Sequence, residues 1–100
     1  LRLQKVDGLP PKELRKLVDK GKKELSEGII IVFASKDDKV GIAVGVTDKL
    51  TDKFDAVQFV KVGSEIIGGK DGGGRKDFAQ AGGQDQSKIE EAFKKLKTLI

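Results

Sequence analysis

The chain has 100 residues, 37% of them hydrophobic and 36% charged, with a net charge of +4. It contains no His, Cys, Tyr, Trp or Met, which excludes a Ser–His–Asp triad, a Cys–His pair, a disulfide framework and zinc sites of nitrogen and sulfur ligands. Any general acid or base would have to be Asp, Glu or Lys.

This composition describes one soluble globular domain, residues 1–100. No apolar run approaches the ~20 residues of a membrane span. The lack of Met, even at position 1, leads us to expect a segment of a longer protein. Loss of Asn, Cys and Met beside abundant Lys and Glu also fits a heat-adapted source.

In chain order, Leu1–Val6 is a candidate first strand, and "DGLPP" (Asp7–Pro11) a turn leading into a helix. Leu14, Leu17, Val18 and Leu25 then recur at helical spacing over an arc of about 100°. Lys12, Lys16, Lys20 and Lys23 occupy the opposite arc, about 80° wide. This lysine stripe is a solubilising face or a second surface for a polyanion. "GIIIVFAS" (Gly28–Ser35) is a continuous apolar, β-branched run, as in a strand covered on both faces. "VGIAVGV" (Val40–Val46) follows a short turn and reads as its antiparallel partner, with Gly41 and Gly45 marking close approach of another element.

Thr51 or Asp52 is the expected cap of a second helix containing Ala56, Val57, Val60 and Ile67 and ending near Gly68. Phe78–Gly82 is a candidate short strand, and "SKIE" (Ser87–Glu90) a candidate capping box. Ile89, Ala92, Phe93, Leu96, Leu99 and Ile100 then form the apolar face of a last helix. The expected fold class is α/β (α+β), a small mixed sheet with about three helices packed on it.

Between the second helix and that short strand lies "GGKDGGGRKDFAQAGG" (Gly68–Gly83), with seven glycines in sixteen residues. It is not a P-loop. Gly69 and Gly74 have the required separation, but Arg75 and Lys76 replace the lysine and hydroxyl residue. It is not a dinucleotide fingerprint, because Asp77 stands where the third glycine belongs. Two physical readings stay open. The glycines permit tight turns, or they let main-chain amides and the cations Lys70, Arg75 and Lys76 approach one anion, with Asp71 and Asp77 orienting or cancelling those cations. Gln80 is placed to meet a base or ribose, and Phe78 is a core residue or a stacking surface.

The same stretch resembles the signature of the C-terminal, or C-Ala, domain of bacterial-type alanyl-tRNA synthetases, of the DHH-associated type. The resemblance continues through "KVDGLPPKELRKLVDKGKKEL", "GIIIVFAS" and "VGIAVGVTDKLTDKFDAVQFVKVGSEIIGGK" and so covers nearly the whole chain. Asp71 departs from the usual Gly, Lys76 from Pro and Phe78 from Met. The resemblance implies a non-catalytic, cytoplasmic domain that binds the elbow of the L-shaped tRNA(Ala) and brings the aminoacylation and editing modules of a parent alanine–tRNA ligase onto one tRNA. ATP, magnesium and zinc would then be used elsewhere in the parent, with no cofactor here, and neither DNA nor a membrane is an expected partner. A helical arm that aids dimerisation in several bacterial members is missing, so the fragment is expected to be monomeric.

On this basis the expected tRNA contacts are Lys70, Gly72, Gly73, Gly74, Arg75 and Lys76, with Gln80, Gly82 and Gly83 as a supporting wall. The rival readings are the nucleic-acid-binding accessory domain of a DHH-type phosphoesterase and a protein–protein interaction or dimerisation module. In the phosphoesterase domain a His often follows the glycines where Arg75 stands here.

Overall fold

The computed structural model describes residues 2–8, 13–25, 27–36, 39–69 and 72–99. The described elements run β1 (Arg2–Asp7), α1 (Leu14–Glu24), β2 (Ile29–Lys36), β3 (Lys39–Val46), α2 (Ala56–Ile66), β4 (Gly73–Gly74), β5 (Phe78–Gly83) and α3 (Ile89–Lys97). The strands form one mixed sheet in the order β1-β2-β3-β5-β4. β1 pairs parallel with β2, because α1 carries the chain from the end of one strand back to the start of the next. The other pairings are antiparallel. The expected class, a small mixed sheet bearing three helices, is what the described residues adopt.

The apolar run of β2 is explained by cover on both faces. Alternate residues point to opposite sides. Ile30, Val32 and Ala34 pack with Leu14 and Val18 of α1, while Ile31 and Phe33 pack with Phe59 and Val60 of α2 and Leu96 of α3. Phe33 meets Phe93 edge-on, with ring centroids 4.9 Å apart, a favoured aromatic geometry. Gly45 does mark a close approach. A Cβ there would strike Val18 and lie 3.0 Å from the Lys22 Cδ, so α1 sits directly on β3.

Both expected caps are corrected. The Thr51 hydroxyl donates to the Asp48 carbonyl within a turn that follows a short 3₁₀ segment, Asp48–Leu50. α2 starts later, and Asp55, in extended conformation, caps it by accepting from the Val57 amide at 2.9 Å. At the other end Gly68 (φ 75°) closes α2: its amide donates to the Glu65 carbonyl and the Gly69 amide to the Ser64 carbonyl, the two bonds of a Schellman motif.

Ser87 and Glu90 do not form a capping box. A 3₁₀ turn, Gln86–Lys88, precedes α3, and Asp85 caps it: its Oδ1 accepts from both the amide and the hydroxyl of Ser87. α3 itself begins without a side-chain cap. Ile89, Ala92 and Leu96 are buried, but Leu99 lies beyond the helix and is 38% exposed. Ile100 lies outside the described residues.

Candidate nucleic-acid interface

The glycine-rich segment leaves α2 at its closed end and returns along the sheet edge as a hairpin. Gly73 and Gly74 pair with Gln80 and Ala79. Arg75 and Phe78 close the turn with two main-chain hydrogen bonds, from the Arg75 amide to the Phe78 carbonyl (2.6 Å) and back (3.3 Å). Lys76 and Asp77 form the two-residue tip. Lys70 and Asp71 lie outside the described residues.

This geometry resolves most of the glycines in favour of packing. A Cβ on Gly69 would collide with the Gly82 carbonyl oxygen, one on Gly72 with the Gln80 carbonyl oxygen, and one on Gly74 with the Phe78 carbonyl oxygen. Gly83 lies against Ile67. The main chain of the segment lies so close to β5 that no side chain fits between them. Among the described residues of the segment, Gly73 and Gly74 are extended strand. Gly73 and Gly82 differ: a Cβ on Gly73 would meet nothing within 4 Å, and one on Gly82 only the Val40 carbonyl at 3.8 Å.

Gly73, Gln80 and Gly82 are exposed and share one face of the sheet through the pairing register. Phe78 lies two residues before Gln80 on the same face, half-buried among the α1 cluster. The Arg15 guanidinium of α1 sits 5.3 Å from its ring centroid, within cation–π range. The ring is thus an edge of the core that carries a cation.

The hairpin tip is anchored. The Lys76 carbonyl accepts from the Ala56 amide (3.0 Å). The Asp77 carbonyl accepts from the Val46 amide (2.9 Å) and from the Lys22 ammonium (3.2 Å). Arg75 and Lys76 are nevertheless exposed, the Arg75 side chain by 74%. The Asp77 carboxylate lies 3.6 Å from Arg75 Nε through Oδ1 and 3.8 Å from Lys22 Nζ through Oδ2.

Of the lysine stripe, Lys16, Lys20 and Lys23 are exposed on the outer arc of α1, and Lys16 pairs with Glu13 at 3.1 Å. Lys12 lies outside the described residues. The cations that α1 does bring to the hairpin are Arg15 and Lys22, which the sequence reading missed. Their signal was present: seven residues apart, they share one flank of the helix beside its buried arc.

The flank opens beside the tip into a cavity of about 450 Å³ lined by Lys22, Thr47, Asp48, Lys49 and Asp77. Its charges alternate in sign, so it is no simple anion pocket. Among the described residues no group of three His, Cys, Asp or Glu side chains is placed to hold a metal ion, and no helix is long and apolar enough to cross a membrane.

A family model described as the DHHA1 domain matches residues 3–100. The alanine–tRNA ligase of Parvibaculum lavamentivorans is 47% identical over 98 residues, which are 97% of this chain and 11% of that protein. The alanine–tRNA ligase of Bradyrhizobium diazoefficiens is 52% identical over 89 residues, 88% of this chain and 10% of that protein. The chain therefore spans about a tenth of the length of these curated relatives. Among solved structures, the C-Ala domain from Aquifex aeolicus alanyl-tRNA synthetase superposes with a TM-score of 0.90 at 31% identity, covering 98% of this chain and 87% of that one.

Proposed function

The chain belongs to the DHHA1 domain family and has the fold of the C-Ala domain, and on that premise we propose that it is the C-terminal, non-catalytic domain through which an alanine–tRNA ligase holds the elbow of tRNA. In that role it links aminoacylation and editing on one tRNA, in the cytoplasm, while ATP, magnesium and zinc chemistry belongs to other domains of the parent.

The observation that carries the reading is the anchored β4–β5 turn. It presents Arg75 and Lys76 to solvent while main-chain and lysine contacts from α1, β3 and α2 fix its tip. A rigid cationic turn beside a flat, nearly side-chain-free shelf (Gly73, Gln80, Gly82) suits a folded RNA, which is read by shape and phosphate path more than by sequence. Gln80 supplies the shelf's hydrogen-bonding group. Lys16, Lys20 and Lys23, exposed on the outer arc of α1, serve as a secondary, longer-range attraction.

Competition binding tests the reading. The domain binds intact tRNA with a micromolar or weaker Kd, and an acceptor-stem minihelix, which lacks the elbow, competes poorly. Equal competition by the minihelix would move the contact to the acceptor stem. Association of the domain with itself that survives high salt, with no tRNA bound, would leave the interaction-module reading in its place.

A further inference from the structure

Lys22 and Arg75 come from different elements, α1 and the β4–β5 turn, and share one carboxylate. Lys22 Nζ lies 3.8 Å from Asp77 Oδ2 and also donates to the Asp77 carbonyl at 3.2 Å. Arg75 Nε lies 3.6 Å from Asp77 Oδ1, longer than the ~2.7–2.9 Å of a close charge-assisted bond. Their exposures differ sharply: 22% for the Lys22 side chain and 74% for Arg75. The stem of Lys22 is held in the space left by Gly45. One cation is kept inside the cluster and the other is presented to solvent.

We infer that Lys22 is a positioning residue for Arg75: it takes up the charge of Asp77 and so leaves the guanidinium free for a phosphate. This rests on the RNA-binding reading above. A carboxylate with one arginine beside it draws the guanidinium into a two-pronged pair and cancels it. With a second cation at its other oxygen, Asp77 orients Arg75 through a loose contact, and the three groups together keep a net positive charge. Lys22 itself need not touch the RNA.

A double-mutant cycle read by tRNA binding at fixed salt tests this. Lys22→Met keeps the apolar stem beside Gly45 and removes the charge. In the wild-type background it weakens tRNA binding about three- to tenfold. In an Asp77→Asn background it weakens binding less than twofold, because no carboxylate remains to capture Arg75. The same factor in both backgrounds would show that Lys22 acts on the RNA directly or through its bond to the Asp77 carbonyl, and not by occupying the carboxylate, and would overturn the inference.

A second measurement needs no RNA. In NMR relaxation of the free domain, the Arg75 Nε–H becomes more restricted on Lys22→Met and is unaffected by that change in Asp77→Asn. An Arg75 signal indifferent to Lys22→Met also overturns the inference. If instead the wild type fails to bind tRNA while the Arg75 signal responds as expected, the RNA reading fails and the charge relation stands. Circular dichroism checks that each variant is folded, and Lys22→Gln replaces Lys22→Met if the latter is not.

Discussion

Gly74 and its neighbour Gly73 provide a paired test of the hairpin. At Gly74 (φ 157°) an added Cβ would strike the Phe78 carbonyl oxygen and lie 2.6 Å from the Ala79 Cα and 2.9 Å from its Cβ. These are main-chain atoms of the paired strand or are fixed directly to it, so no rotamer change relieves the clash. Forcing a methyl group into such a space costs about 2 kcal/mol. For a domain of this size, 1 kcal/mol shifts Tm by about 4–8 °C, so Gly74→Ala lowers Tm by about 8–16 °C. At Gly73 the same methyl meets nothing within 4 Å, and Gly73→Ala changes stability by less than about 0.5 kcal/mol. Thermal unfolding followed by far-ultraviolet circular dichroism measures both, and tRNA titration of Gly73→Ala asks whether the open shelf is a contact surface. Equal Tm values for the two variants would refute the register on which the site is built.

Asp85→Ala costs about 1 kcal/mol by removing the cap before α3, while Glu90→Ala stays within about 0.5 kcal/mol; urea unfolding separates them. Asp55→Ala destabilises by a similar amount at the start of α2, whereas Asp52→Ala does not, read by the same unfolding curves. Arg75→Ala leaves Tm unchanged but weakens tRNA binding, and the slope of log K against log salt becomes shallower by about 0.7–0.9, as expected when one phosphate is no longer neutralised.

Strand and helix identities were legible wherever the apolar pattern had one interpretation. The unbroken run Ile29–Ser35 could be buried only by cover on both sides, and α1 with α2 and α3 supplies it. Helix starts were less legible, because several capping residues compete for each one. Thr51, Asp52 and Asp55 all precede α2, and main-chain pairing of Ala56 with the distant Lys76 accompanies the choice of the last. Asp85 prevails over Ser87 because the chain enters α3 through a 3₁₀ turn, which no local pattern announced. The glycines were conspicuous in the sequence but ambiguous there. Whether a glycine yields to a neighbouring strand or to a ligand depends on pairing with β5, a tertiary fact. The Lys22–Asp77 contact joins residues 55 apart in the chain, beyond the reach of any periodicity.

The carbonyls of Lys76 and Asp77 receive the amides that end β3 and begin α2. Neither partner is in place until the central strands have paired and α2 has docked on them. The cationic turn is therefore held only while both elements are in place, and opening either one releases its tip. Slow deuterium uptake at the Val46 and Ala56 amides therefore reports, without any ligand, that the turn is held.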